Sequence, residues 1–216
     1  MKCSFLYSHY EEILKEAVRQ GYVLTSFRDY DPEAKRAIIL RHDVDEVTDV
    51  RPMSRVEHEC GATATYFLRV HSRHYNPFSY ENYDAFKQLI RMGHELGLHI
   101  DGIPFIGLAS EDLVSEVNKE KTMLETMFDV SIQSASLHGF GTLPTPDYFG
   151  LSTKGLGIKN YAYDPKFTRD MKYISDSSGR WREGCLCKLL GKYDKIQVLT
   201  HPDWWYMRDE VAYDRW

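Results

Sequence analysis

The sequence predicts an α/β fold in which helices alternate with the strands of a parallel, barrel-like sheet. Three observations carry that prediction. Short apolar or β-branched runs recur at 37–42, 63–68, 94–100, 130–137 and 195–200. Amphipathic stretches separate the first four of them, at 49–60, 80–92 and 112–128. Glycines close the helix at 7–20 and those at 49–60 and 80–92, at Gly21, Gly61 and Gly93. Strands joined through helices pair in parallel, and about six or seven of them suit a closed or nearly closed barrel.

The elements follow in chain order. Helix 7–20 sets Tyr10, Ile13, Leu14, Ala17 and Val18 at helical spacing. The run Ala37-Ile38-Ile39-Leu40 is apolar throughout, as a strand covered on both faces must be. Thr63-Ala64-Thr65-Tyr66-Phe67-Leu68 has the β-branched and aromatic content of a strand. Helix 112–128 places Leu113, Val117, Met123, Leu124 and Met127 among its apolar positions. Residues 139–191 are irregular and rich in Gly, Pro, Ser and Tyr, with a short strand near 173–175. No repeat, linker or low-complexity segment divides the chain, so residues 1–216 read as a single domain.

Composition excludes several classes. A net charge of −5 argues against a nucleic-acid partner, which would need clustered Lys and Arg. No apolar stretch approaches the roughly 20 residues of a membrane span. The first 14 residues lack the basic, apolar and cleavage regions of a signal peptide, so a cytoplasmic location is expected. Cys3, Cys60, Cys185 and Cys187 lack a framework spacing, and a lone Cys-x-Cys pair makes a poor zinc site, so reduced thiols are expected.

The chemistry concentrates at strand ends. In Arg41-His42-Asp43-Val44-Asp45 two carboxylates two residues apart point to one side of a strand, roughly 7 Å apart at the α-carbons. They repel unless a cation or proton lies between them, which suggests one bound to a metal and the other free as a base. His99 and Asp101, His138, and His201 end three further strands. In a parallel barrel these ends share one rim, where active sites form. The segment His94-Glu95-Leu96-Gly97-Leu98-His99 is one residue too long for a zinc-protease motif. Read as a strand, it turns His99 and Asp101 to one face and leaves His94 on the other, as a packing or hydrogen-bonding residue.

An apolar strand into His42-Asp43-Val44-Asp45, the segment Gly93 to His99, and a last strand ending Leu199-Thr200-His201-Pro202 together resemble the polysaccharide deacetylases of carbohydrate esterase family 4. The resemblance runs from about Ile38 to Trp205, and is strongest to a divergent bacterial branch. It implies a distorted seven-stranded β/α barrel that removes N-acetyl groups from amino sugars with one bound divalent metal. It assigns Asp43 as catalytic base, Asp45 and His99 as metal ligands, and His201 as the acid that protonates the leaving amine. Mixed nitrogen and oxygen ligands suit zinc, the metal expected here, and would also accept cobalt, nickel, iron or manganese.

Two departures stand out. Where the family carries a second metal histidine, this chain has Ile103, so His138 is put forward as third ligand with Asp101 as its rival. The family's arginine motif is absent, and Arg180 or Arg41 is expected to keep Asp43 ionised. Trp204, Phe140, Tyr66 and Arg180 are the candidates for substrate contact. The expected substrate is a small or oligomeric amino sugar; a cytoplasmic enzyme would meet a nucleotide- or lipid-linked precursor. The competing readings are a degenerate barrel that binds a carbohydrate or a partner, and a hydrolase of another non-peptide C–N bond.

Overall fold

A computed structural model describes residues 3–46, 49–106, 108–139 and 155–207. Among the described residues eight strands form one wholly parallel sheet: β1 (Val23–Thr25), β2 (Ala37–Val44), β3 (Thr65–Leu68), β4 (Glu95–Ile100), β5 (Ser134–Leu137), β6 (Asn160–Tyr161), β7 (Lys172–Ser175) and β8 (Lys195–Thr200). Seven run in the order β6-β5-β4-β3-β2-β8-β7, with β1 added beside β2. This is a curled half-barrel, as the expected distorted seven-stranded barrel requires. Among the described residues no pairing joins β6 to β7, so the curl is open at that seam. Near it, the buried Gln197 amide donates to the carbonyls of Ala162 (3.1 Å) and Phe167 (2.8 Å).

Strand β2 is the spine. Every one of its residues is buried, which explains its apolar first half. One of its edges is shared: β1 pairs with Ala37–Ile39, and β3 takes over from Arg41 onward. The helices are α1 (Tyr7–Arg19), α2 (Arg51–Glu59), α3 (Tyr80–Arg91), α4 (Ser110–Phe128) and the single turn α5 (Pro165–Thr168). They lie within two residues of the expected ends, while β1, β6 and α5 escape a search for long periodic runs because they are too short. The stripe of α1 buries Tyr10, Ile13, Leu14 and Ala17, but Val18 faces solvent. In α4, Leu113, Val117, Leu124 and Phe128 are buried, whereas Met123 and Met127 are exposed. The strand expected at 130–137 begins only at Ser134, because Asp129 ends α4 in the left-handed conformation and Ile132 N–H then caps Glu125 Oε1.

The concave side holds its own apolar plug. Phe27, Ile39, Phe67, Ala162, Phe167 and Met171 fill it, with Phe27 edge-on to both Phe67 and Phe167. Gly97 permits this packing: a Cβ there would lie 2.4 Å from the Phe67 ring. Above the plug, the inward side chains of β2 become Arg41, Asp43 and, just past its end, Asp45. Parallel pairing brings the ends of β2, β4, β5, β7 and β8 to that same rim.

Candidate active site

The rim encloses a cleft of about 850 Å³, lined by Asp43, Asp45, His99, His138, His201 and Trp204 among others. Asp43 sits at its base, where the fully buried Arg41 grips it with two bonds, Nε to Oδ1 (2.9 Å) and Nη2 to Oδ2 (2.7 Å). The guanidinium stacks over Tyr163, whose hydroxyl accepts from Nη2 at 2.8 Å. Burial pushes the Asp43 carboxyl up, but the charge of Arg41, helped by His99, holds it below the ordinary carboxylate range. The guanidinium that keeps Asp43 ionised thus comes from two residues upstream on the same strand. Arg180 is exposed and does not line the cleft; Arg182 and Glu183 do.

Asp45, His99 and His138 each offer an atom within 4.8 Å of the others. Asp45 Oδ1 lies 3.2 Å from His99 Nε2 and 3.0 Å from His138 Nδ1. It is buried, yet neither imidazole is aligned to give it a hydrogen bond. A tetrahedral ion with bonds of about 2.0–2.2 Å to nitrogen and oxygen would separate such atoms by about 3.3 Å. The donor set, the spacing and the orphaned oxygen all fit a divalent cation. His99 is pre-aimed, because its Nδ1 is engaged by Ser136 Oγ at 2.6 Å, leaving Nε2 for the cleft.

Asp101 is not part of this group. Its carboxylate is held by Arg69 and by the Ile103 N–H at 3.1 Å. Arg69 also donates to the Asp45 carbonyl at 3.4 Å, so this pair braces the loop that carries Asp45. Ile103 opens a short 3-10 turn and faces solvent.

His201 faces the group from β8, with Nε2 3.8 Å from Asp45 Oδ2. Its Nδ1–H donates to Asp176 Oδ1 (2.7 Å), and its backbone N–H reaches the same carboxylate. Trp205 Nε1–H donates to the other oxygen, Oδ2, at 3.0 Å. Burial would lower the imidazole's proton affinity, but Asp176, with Asp43 and Asp45 behind it, pushes it up to about 9. Near neutral pH His201 is therefore an imidazolium with Nε2–H directed at the cleft. Burial, reinforced by Asp45, pushes Asp203 up to about 7.

Sequence reasoning left out Asp176, Ser136 and Tyr163. Asp176 was within reach: it follows the strand near 173–175 directly, the same strand-end signal that singles out His138. Tyr66 does not reach the cleft. Its hydroxyl donates to Glu57 Oε2 at 2.7 Å on the outer face of the sheet, because the even-numbered residues of β3 turn away from Phe67. His94 also lies there, accepting from Ala64 N–H (3.2 Å) and donating to the Ser54 carbonyl (3.0 Å), as the strand reading anticipates. Trp204 does line the cleft, and Phe140 falls outside the described residues.

No family model and no curated protein matches the chain. Solved structures do. The Streptococcus pyogenes deacetylase PplD, in complex with acetate, superposes with a TM-score of 0.55 at 9% identity, covering 94% of this chain and 85% of that one. The chitin deacetylase of the fungal pathogen Colletotrichum lindemuthianum gives 0.53 at 14% identity, over 90% of this chain and 81% of that one. Wild-type BA3943 of Bacillus anthracis, described as a CE4 family pseudoenzyme, gives 0.52 at 15% identity over 81% of this chain and 60% of that one. At such identities the likeness is one of architecture, and it agrees with the expectation drawn from the sequence motifs: the chain has the fold of the polysaccharide deacetylases.

Proposed function

We propose that this protein is a metal-dependent hydrolase that removes an N-acetyl or related N-acyl group from an amino sugar. The observation that carries the reading is the buried, orphaned Asp45 Oδ1 between His99 and His138, beside a separate carboxylate at Asp43 and the His201 imidazole held by Asp176. A divalent ion held by Asp45, His99 and His138 would polarise the acyl carbonyl and make a nearby water easier to deprotonate. Zinc suits one carboxylate and two imidazoles.

The remaining work falls to side chains. Arg41 occupies one acceptor position on each Asp43 oxygen and leaves the others open, so the carboxylate can take the proton of an attacking water. His201 gives its Nε2 proton to the departing nitrogen, and Asp176 fixes its ring and stabilises its charge. Trp204 offers a flat apolar wall on which a sugar ring can stack, and Phe140 is a second candidate for that contact. Among the described residues no helix is long and apolar enough to cross a membrane, which leaves the substrate's carrier open.

A second reading has its own support. Ile103 stands where the family's second metal histidine belongs, and one architectural neighbour is a pseudoenzyme, so a barrel that binds without hydrolysing is the alternative. One experiment separates them: metal analysis and acetate release from N-acetylated amino-sugar oligomers and precursors, for the native chain beside His99→Ala and His138→Ala. One metal equivalent lost in each variant together with acetate release supports the hydrolase. Unchanged metal content in both variants, with no acetate or other acyl release, leaves the binding protein.

A further inference from the structure

Three of the four cysteines meet a histidine away from the cleft. Cys3 lies on the segment before α1, His9 on α1, and Cys185 and Cys187 at the 3-10 turn Leu186–Lys188. One ligand atom from each of the four lies within 4.8 Å of all the others. Cys3 Sγ is 3.5 Å from Cys187 Sγ, and Cys185 Sγ is 3.5 Å from His9 Nε2. A disulfide would need about 2.05 Å, and all four cysteines are free. A tetrahedral zinc ion, bonded at about 2.3 Å to sulfur and about 2.0–2.1 Å to nitrogen, spaces two sulfurs by about 3.8 Å and sulfur from nitrogen by about 3.6 Å. These two edges lie within about 0.3 Å of such a tetrahedron's, and the others are within 4.8 Å.

His9 adds an independent sign. It is 4% exposed, and its Nδ1 is buried with no hydrogen-bond partner, while Glu12 Oε2 waits 3.7 Å away, one turn along α1. Metal at Nε2 places the ring proton on Nδ1, and a carboxylate there is the usual orienting partner of a zinc-bound imidazole. We infer that Cys3, His9, Cys185 and Cys187 form a second, structural zinc site. Four protein ligands leave no open position, so the site binds its ion without chemistry of its own.

Its place in the fold gives it a task. The segment before α1 is stitched to the stretch after β8 by Tyr7 N–H to the Tyr206 carbonyl (3.0 Å) and Tyr206 N–H to the Phe5 carbonyl (2.8 Å). Phe5 packs against Trp181 and Trp205, and Trp205 in turn holds Asp176. The ion would clip this segment to the 185–187 turn behind the wall that positions His201. The sequence alone hides the site, because Cys185-x-Cys187 is only half of it and Cys3 lies 184 residues from Cys187.

Cobalt(II) substitution of the full-length chain tests this. The expected result is an intense near-ultraviolet sulfur-to-cobalt absorption that persists in Asp45→Asn and disappears in Cys187→Ser. The Asp45 group has no thiolate and cannot produce that band. Zinc analysis should then show one equivalent fewer in Cys187→Ser than in the native chain. Should that variant fail to fold, titrating the native zinc protein with a thiol-blocking reagent serves instead, with one zinc expected to leave in step with the thiols. A cobalt-loaded native chain without the sulfur band overturns the inference, as would zinc retained after the thiols are blocked, or a disulfide between any two of these cysteines in the purified protein.

Discussion

Strand β2 carries a buried polar network on each face, and the two are built on opposite terms. On the outer face, under α1 and α2, Glu57 accepts from Tyr10 (2.6 Å), Tyr66 (2.7 Å) and His42 Nε2 (2.6 Å), while Thr200 Oγ1 lies 2.6 Å from His42 Nδ1. Each polar side-chain atom of that cluster has a partner. Burial pushes Glu57 up, but His42 and its neighbours hold it below the ordinary range, so it stays charged and paired. On the inner face Asp45 Oδ1 has none, though two imidazoles stand beside it. A network that satisfies itself fixes a scaffold, whereas groups that converge without bonding one another are arranged for something that arrives later. Within one motif, His42 and Asp45 thus belong to networks built for opposite purposes.

Breaking the outer network should have the largest effect on folding. Glu57→Ala leaves buried donors unpaired and is expected to cost about 3–5 kcal/mol, a large part of a typical stability; urea unfolding measures it, and acetate release per folded molecule should stay near native. The inner network should behave in reverse. Asp45→Asn should keep the native thermal midpoint within a few degrees while removing one metal equivalent and, by forfeiting about 4 kcal/mol of transition-state stabilisation, roughly a thousandfold in rate. A loss of fold in Asp45→Asn with metal retained would erase the distinction between the two faces.

Smaller changes sharpen it. His201 is pushed up to about 9, above its unfolded value of about 6.5. Its pairing therefore stabilises the fold fully below about pH 6.5 and less as pH rises through about 9, where catalysis also loses its acid. Asp176→Asn should move the alkaline limb of the pH–rate profile to lower pH and cost about 10²-fold at neutrality; an unmoved limb would take His201 out of the acid role. Ser136→Ala should be mildest, weakening metal affinity by about 10–100-fold by releasing the His99 ring, as a competing chelator would show.

The strand ends were legible because alternation is local. An apolar run followed by Asp43 and Asp45 fixes which side chains share a face, and the same rule turns His99 inward and His94 outward. His138 was also legible, since a histidine just past a strand belongs to the rim wherever that strand pairs. What alternation cannot say is which face of β3 looks into the barrel, so Tyr66 was placed in the cleft when its hydroxyl belongs to Glu57. Nor does it identify partners brought by register between strands distant in sequence, such as Ser136 beside His99 or Asp176 beside His201.

By itself, then, the sequence determined the alternating α/β architecture, the rim on which its acids and histidines gather, and the reading of β2 as a buried spine, all of which follow from short-range periodicity. Tertiary structure alone decided that Arg41 grips Asp43, that Arg69 withdraws Asp101 from the Asp45–His99–His138 group, and that Cys3 and His9 meet Cys185 and Cys187. Those contacts depend on how the sheet curls and on where the segment before α1 meets Trp205 and Tyr206. Curl and crossing are set by packing summed over the whole core, which no local pattern encodes.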